Sequence, residues 1–301
     1  MRIASLLPSA TEILFAVGAG EEVVGVTHEC DYPPGALELP RLTSNAIDHT
    51  GQTCAAIDRH IRSAVHSGSS IYRLDESLLS TLAPDLIVTQ ELCEVCAVSY
   101  SQVKEAVRRL PGKTPVLSLE PTSLEDIFLT IETVGEAVGE SLAARALAVS
   151  LRERVAAVEA FDPPSPRPRL VCIEWTDPLM ASGHWVPEMV RLAGADDPLG
   201  HERAPSEYIS WDELKAVDPE MLVLMPCGHN LDQTLAVAAE VTGHAGFSLL
   251  ACARSGQVVA VDGSAYFNRP GPRIVHGLEI LAAIARARPD DELPAGARWV
   301  L

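Results

Sequence analysis

Two kinds of side chain in this sequence are equipped for chemistry. The first kind is soft donors. Cys93 and Cys96 form a Cys-x-x-Cys pair, and His28, Cys30, His184 and Cys227 are further thiol or imidazole donors. A Cys-x-x-Cys pair suits zinc or thiol–disulfide exchange, and zinc would need two more ligands from that set. The spacing between these groups fits no standard zinc finger, so plain buried thiols remain an alternative. The second kind is aromatic: Tyr32, Trp175, Trp185, Tyr266 and Phe267. Aromatic faces bury large area at low entropic cost and carry polar edges, which suits a broad, flat ligand. Glu29 and Glu91 stand beside the first of these groups, and Arg269 and Arg273 beside the last.

Nearly all of them follow an apolar run that reads as a strand. Strands are predicted at Ile3–Leu7, Val23–Thr27, Asp85–Thr89 and Val116–Leu119, then at Leu170–Glu174, Met221–Met225 and Val258–Val261. Helical patterns lie between them, which predicts parallel sheets with helices on their faces. His28, Glu29, Cys30 and Tyr32 come after the second strand, and Glu91, Cys93 and Cys96 after the third. Glu174 and Trp175 end the fifth, with His184 and Trp185 beyond. Pro226-Cys-Gly-His229 follows the sixth, and Asp262, Tyr266, Phe267 and Arg269 follow the seventh. Ligands of parallel α/β sheets sit beyond the carboxyl ends of the strands. A cleft gathering these residues from two sheets is therefore expected.

The organisation around them is lobe, helix, lobe. Residues 1–122 form one α/β lobe and 162–301 another. Residues 123–161 carry no strand signal; apolar residues recur at helical spacing from Ile127 to Val158, with Gly135 and Gly139 as the places where the helix could break. Asp162-Pro-Pro-Ser-Pro-Arg-Pro168 makes a stiff boundary. Ser9 and Glu12 read as a capping box for the first helix, Ser210 caps a helix at Trp211–Val217, and Asn45–Tyr72 reads as an insertion with its own helix. The tail after about Arg288 is expected to be disordered.

The formal net charge of −18 repels nucleic-acid phosphates and anionic lipid, and no run of apolar residues is long enough to span a membrane. Seven cysteines at irregular spacing are no disulfide framework and lean towards a reducing compartment. The first residues do not read as an export signal. That predicts either a cytoplasmic protein or a mature form lacking its leader.

Several segments in order resemble the vitamin B12-binding and ferric-siderophore-binding proteins of ABC importers. They are Ile3-Ala-Ser-Leu-Leu-Pro-Ser-Ala-Thr-Glu12, Val24-Gly-Val26, Asp31-Tyr-Pro-Pro34, Leu82-Ala-Pro-Asp-Leu-Ile-Val88, Ala181-Ser-Gly183, and Tyr266-Phe-Asn-Arg269 leading to Pro272-Arg273. The resemblance covers nearly the whole chain. It implies two lobes with mostly parallel sheets joined by a long helix, the class III periplasmic-binding-protein architecture. It also implies a small-molecule ligand, an ABC permease as partner, and one acidic docking residue per lobe. Asp75 or Glu76, and Asp212 or Glu213, lie nearest those docking positions.

Ferric siderophores and haem carry anionic groups, and only Arg269 and Arg273 stand out as cationic partners. The less anionic corrinoid, a cobalamin-like ligand, is therefore the expected cargo, with the siderophore or haem reading kept beside it. Imidazoles and thiols near the cleft suit cobalt ligation. A metal- or thiol-dependent enzyme is the reading from another class. The sequence lacks Gly-x-Ser-x-Gly, a phosphate-binding loop and His-Glu-x-x-His, so no enzyme is expected.

Overall fold

Apolar runs bounded by turn residues become strands, and the periodic stretches between them become helices. The computed structural model describes residues 1–46, 51–66, 71–90, 100–109, 114–161, 165–289 and 291–300. They group into two compact units. The first comprises Met1–Gln52, Ala56–Pro121 and Asp126–Ser150; the second comprises Thr53–Ala55, Thr122–Glu125 and Leu151–Leu301.

The first unit begins with β1 (Ile3–Ser5), α1 (Pro8–Ala16), β2 (Val23–Gly25), β3 (Thr43–Asn45), α2 (Cys54–His66) and β4 (Tyr72–Leu74). It continues with α3 (Glu76–Leu82), β5 (Leu86–Thr89), α4 (Tyr100–Arg109) and β6 (Val116–Ser118), then α5 (Leu124–Ala137) and α6 (Ser141–Glu159). Its four-stranded sheet runs β2-β1-β5-β6, and every pairing is parallel. All four residues of β5 are buried, as expected of a parallel strand covered on both faces. Leu6, Leu42, Leu79, Ile87 and Val103 form the core beside it. β3 and β4 pair antiparallel and bracket α2, the helix predicted within the 45–72 insertion.

Two local expectations are corrected. The capping box at Ser9 and Glu12 does not form. Pro8 takes the first helical position, where its fixed φ and missing N–H cost nothing, so Leu7 is the N-cap. Ser9 then lies inside the first turn, its hydroxyl buried without a hydrogen-bond partner. The 123–161 segment is helical, but as two helices. Gly139 adopts φ +84°, Glu140 N donates to Gly135 O at 2.7 Å and Gly139 N to Glu136 O at 3.3 Å. That pair of bonds is a Schellman stop. The 19-residue α6 follows, and it is within α6 that the chain passes from the first unit to the second.

The second unit carries β7 (Leu170–Thr176), β8 (Leu179–Ala181), α7 (Val186–Leu192), α8 (Trp211–Val217), β9 (Met221–Leu224) and α9 (Leu231–Thr242). It ends with α10 (Ala251–Ser255), β10 (Val258–Val261), α11 (Gly263–Tyr266), α12 (Ile274–Ile284) and β11 (Ala297–Trp299). The sheet order is β11-β10-β9-β7-β8, with a parallel centre and antiparallel edges. The tail expected to be disordered is ordered at β11, which pairs with β10 through Val259 and Trp299. Ser210 and Glu213 make the capping box of α8, and Asn230 and Gln233 make that of α9. Among the described residues no helix is long and apolar enough to cross a membrane.

Candidate ligand-binding site

In the second unit the carboxyl end of β7 organises its surroundings through one carboxylate. Glu174 accepts from the Ser206 hydroxyl at 2.5 Å and from Gly183 N at 3.3 Å. The residue keeps some exposed surface, yet desolvation of its carboxyl group pushes its pKa up to about 7, against the lowering effect of both hydrogen bonds. Gly183 is required there, because a Cβ would stand 2.4 Å from Ser206 N and 2.6 Å from Ala204 O. The next residue, His184, is held at φ +52° and Arg203 at φ +63°, conformations uncommon for side-chain-bearing residues. Their backbones interlock, His184 N donating to Ala204 O and Arg203 N to His184 O. Burial lowers the pKa of His184, which favours its neutral form.

Trp185 follows, buried, with its ring centroid 5.6 Å from that of His184. Its indole N–H donates to the Phe267 carbonyl at 2.8 Å. Phe267 corrects the sequence reading: it is wholly buried in the core and its ring cannot face a ligand. Phe267 is the C-cap residue of the short α11, a helix the sequence reading did not predict. Tyr266 is half-buried, with the Arg273 guanidinium carbon 5.9 Å from its ring centroid. Arg269 is half-buried next to it.

Trp175 lies within β7 rather than after it, and is buried. Its N–H donates to Cys54 O at 3.2 Å, and its ring meets His229 edge-on at 5.6 Å and 83°. Cys54 N in turn donates to Glu240, whose other oxygen accepts from Thr176. Desolvation raises the Cys54 thiol to about 12, so it is inert. Cys227 is exposed, and its amide donates to Glu174 O at 3.0 Å. Cys172 and Cys252 are buried, as is the Cys30 thiol of the first unit.

In the first unit the candidates satisfy one another. The His28 ring meets Thr43 Oγ1 at 2.7 Å through Nδ1 and Asn45 Oδ1 at 2.9 Å through Nε2. Both nitrogens are engaged, so His28 is no open metal donor. Cys30 Sγ lies 3.1 Å from Thr11 Oγ1 and 3.0 Å from Thr27 Oγ1, buried among hydroxyls. Among the described residues no three His, Cys, Asp or Glu side chains converge on a metal position. Glu29 is exposed and accepts from Tyr72 OH at 3.2 Å, and Tyr32 is exposed. Glu91, Cys93 and Cys96 lie outside the described residues.

The sequence profile of the periplasmic binding protein family matches residues 3–265. The chain belongs to that family. A vitamin B12-binding protein of Vibrio cholerae is 26% identical over 280 residues, covering 92% of this chain and 86% of that protein. Two solved structures share the fold. The periplasmic vitamin B12-binding protein of Vibrio cholerae has TM-score 0.66 and 22% identity, covering 95% and 96% of the two chains. The periplasmic haem-binding protein of Roseiflexus sp. RS-1 in apo form has TM-score 0.69 and 22% identity, covering 94% and 97%.

Membership in a periplasmic binding protein family makes the chain a binding protein and not an enzyme. The buried Glu174 then needs no catalytic task, and its two hydrogen bonds account for it as a brace between loops. The acidic candidates for docking divide in the same way. Asp75 Oδ1 accepts from Leu78 N as the N-cap of α3, and Glu213 closes the capping box of α8. Glu76 is exposed in the first turn of α3, and Asp212 is exposed and paired with Lys215 at 2.7 Å. The sequence reading placed His229 at a strand end, in Pro226-Cys-Gly-His229, but gave it no role of its own.

Proposed function

We propose that this periplasmic binding protein carries a corrinoid for an ABC importer. The observation that carries the reading is relatedness: proteins named vitamin B12- or cobalamin-binding in Vibrio cholerae and Halobacterium salinarum align over more than nine-tenths of the chain. The aromatic side chains that follow strands of the second unit's sheet support it: Tyr266 is half-buried, and Trp185 stands beside His184. Haem is the second reading, favoured by the haem-binding structures that share the fold. Desalting after incubation with cyanocobalamin, and separately with ferric haem, tests the choice. One corrinoid retained per protein is the expected result; retention of haem alone sinks the corrinoid assignment.

For docking, Glu76 and Asp212 are the acids we assign to arginines of the permease, because both are exposed in the first turn of their helices. Glu76→Lys together with Asp212→Lys should abolish permease binding while leaving ligand retention intact. Undiminished docking removes the assignment. Service to an importer places the protein outside the cytoplasmic membrane, which cell fractionation checks.

A further inference from the structure

One imidazole in the second unit is fixed in a single orientation by bonds that no ligand-binding argument above requires. His229 lies in the turn between β9 and α9. Its amide donates to Pro226 O at 3.1 Å and its carbonyl accepts from Ser264 N at 3.0 Å. Gly228 closes the turn at φ +74°, and Asn230 immediately begins the capping box of α9. The backbone is thus pinned from both neighbouring strand ends.

The ring is pinned as well. Nδ1 lies 3.1 Å from the Cys227 carbonyl oxygen. A carbonyl only accepts, so Nδ1 carries the proton and Nε2 keeps its lone pair. Trp175 braces the ring edge-on, and Trp175 is itself held by its bond to Cys54 O. Among the described residues no side chain hydrogen-bonds to Nε2. A histidine whose Nδ1–H is tied to a backbone carbonyl, leaving Nε2 its lone pair, is how proteins orient an imidazole for metal. His184 has no such anchor on either nitrogen, and His28 has both nitrogens engaged.

A bare ion does not fit the position, because no three protein donors converge among the described residues. A chelated metal does. It brings its own equatorial ligands and lacks only an axial donor. We propose that His229 supplies Nε2 as the axial ligand to the metal of the carried chelate. This rests on the corrinoid reading above. In aquocobalamin the step is a ligand exchange: the cobalt–water bond breaks, the cobalt–Nε2 bond forms, water leaves, and no oxidation state changes.

The test uses the full chain with aquocobalamin, and with cyanocobalamin as the form whose axial position is blocked. Aquocobalamin should show a visible-band shift on binding. His229→Ala should lose that shift and bind aquocobalamin on the order of 10-fold more weakly. Millimolar imidazole should restore the shift in the variant. Cyanocobalamin binding should change little between the two proteins. His229→Gln gives the same reading with a side chain that keeps polarity, should the alanine variant fold poorly. A shift that persists in both variants, or aquocobalamin bound with no shift at all, overturns the axial role while leaving the corrinoid function standing. Retention of neither cobalamin overturns both.

Discussion

The two sheets carry the same kinds of residue at their carboxyl edges and dispose of them differently. Among the described residues of the first unit, His28, Cys30, Thr27, Thr43 and Asn45 bond one another. In the second unit the ring nitrogens of three candidates bond backbone carbonyls instead. Trp185 binds Phe267 O, Trp175 binds Cys54 O and His229 binds Cys227 O, each leaving part of its ring system uncommitted by hydrogen bonds. A donor set that pairs with itself builds structure; one that leans on the main chain keeps its reactive side for something else. Residue type and strand-end position cannot tell these cases apart.

The largest expected effect separates core from edge. Phe267→Ala should cost about 3–5 kcal/mol of stability, the range for emptying a buried phenylalanine site. Tyr32→Ala, at 43% exposure, should cost about 0.5 kcal/mol or less. Urea titration of both variants decides it. Similar losses at the two positions would break the distinction between the edges.

Next in size is the contribution of Glu174. Its folded pKa of about 7 stands above the ordinary 4.5. The unfolded chain therefore gives up this proton at lower pH than the folded one, and stability falls as pH rises from about 4.5 to about 7, then levels. The drop should be on the order of 3 kcal/mol, and Glu174→Gln should remove it. A wild-type profile that is flat across that window, or one unchanged by the substitution, would show that the brace is solvated.

The smallest effect belongs to the first unit's edge. Tyr72→Phe removes the bond to the exposed Glu29 and should shift stability by less than about 0.5 kcal/mol. A loss several times larger would mean that the first unit's edge is as tightly built as the second's.

The parallel core was legible because it rests on periodicity. β10 and α8 fall at the predicted residues, and β1, β2, β5, β6, β7 and β9 lie within a residue or two of their predicted ends; the short antiparallel strands β3, β4, β8 and β11 were not predicted. Short-range sterics were legible in part: the break fell at Gly139, one of the two glycines named for it, whereas Pro8 overrode the Ser9–Glu12 box. The site was legible as a list and not as an orientation. Phe267 looked like its neighbour Tyr266, yet only Phe267 is wholly buried. His229 was placed at a strand end without a role, because its meaning depends on which nitrogen a carbonyl occupies, a matter of three dimensions.

All four tryptophans, Trp175, Trp185, Trp211 and Trp299, belong to the second unit. Selective excitation near 295 nm thus illuminates one half of the molecule and leaves the other dark. Trp175 and Trp185 sit away from solvent, while Trp211 stacks on His244 at 3.7 Å. An absorbing cargo seated near the first two would quench them by energy transfer. The tryptophans thus give the second unit a native optical report of its own contacts with an absorbing cargo.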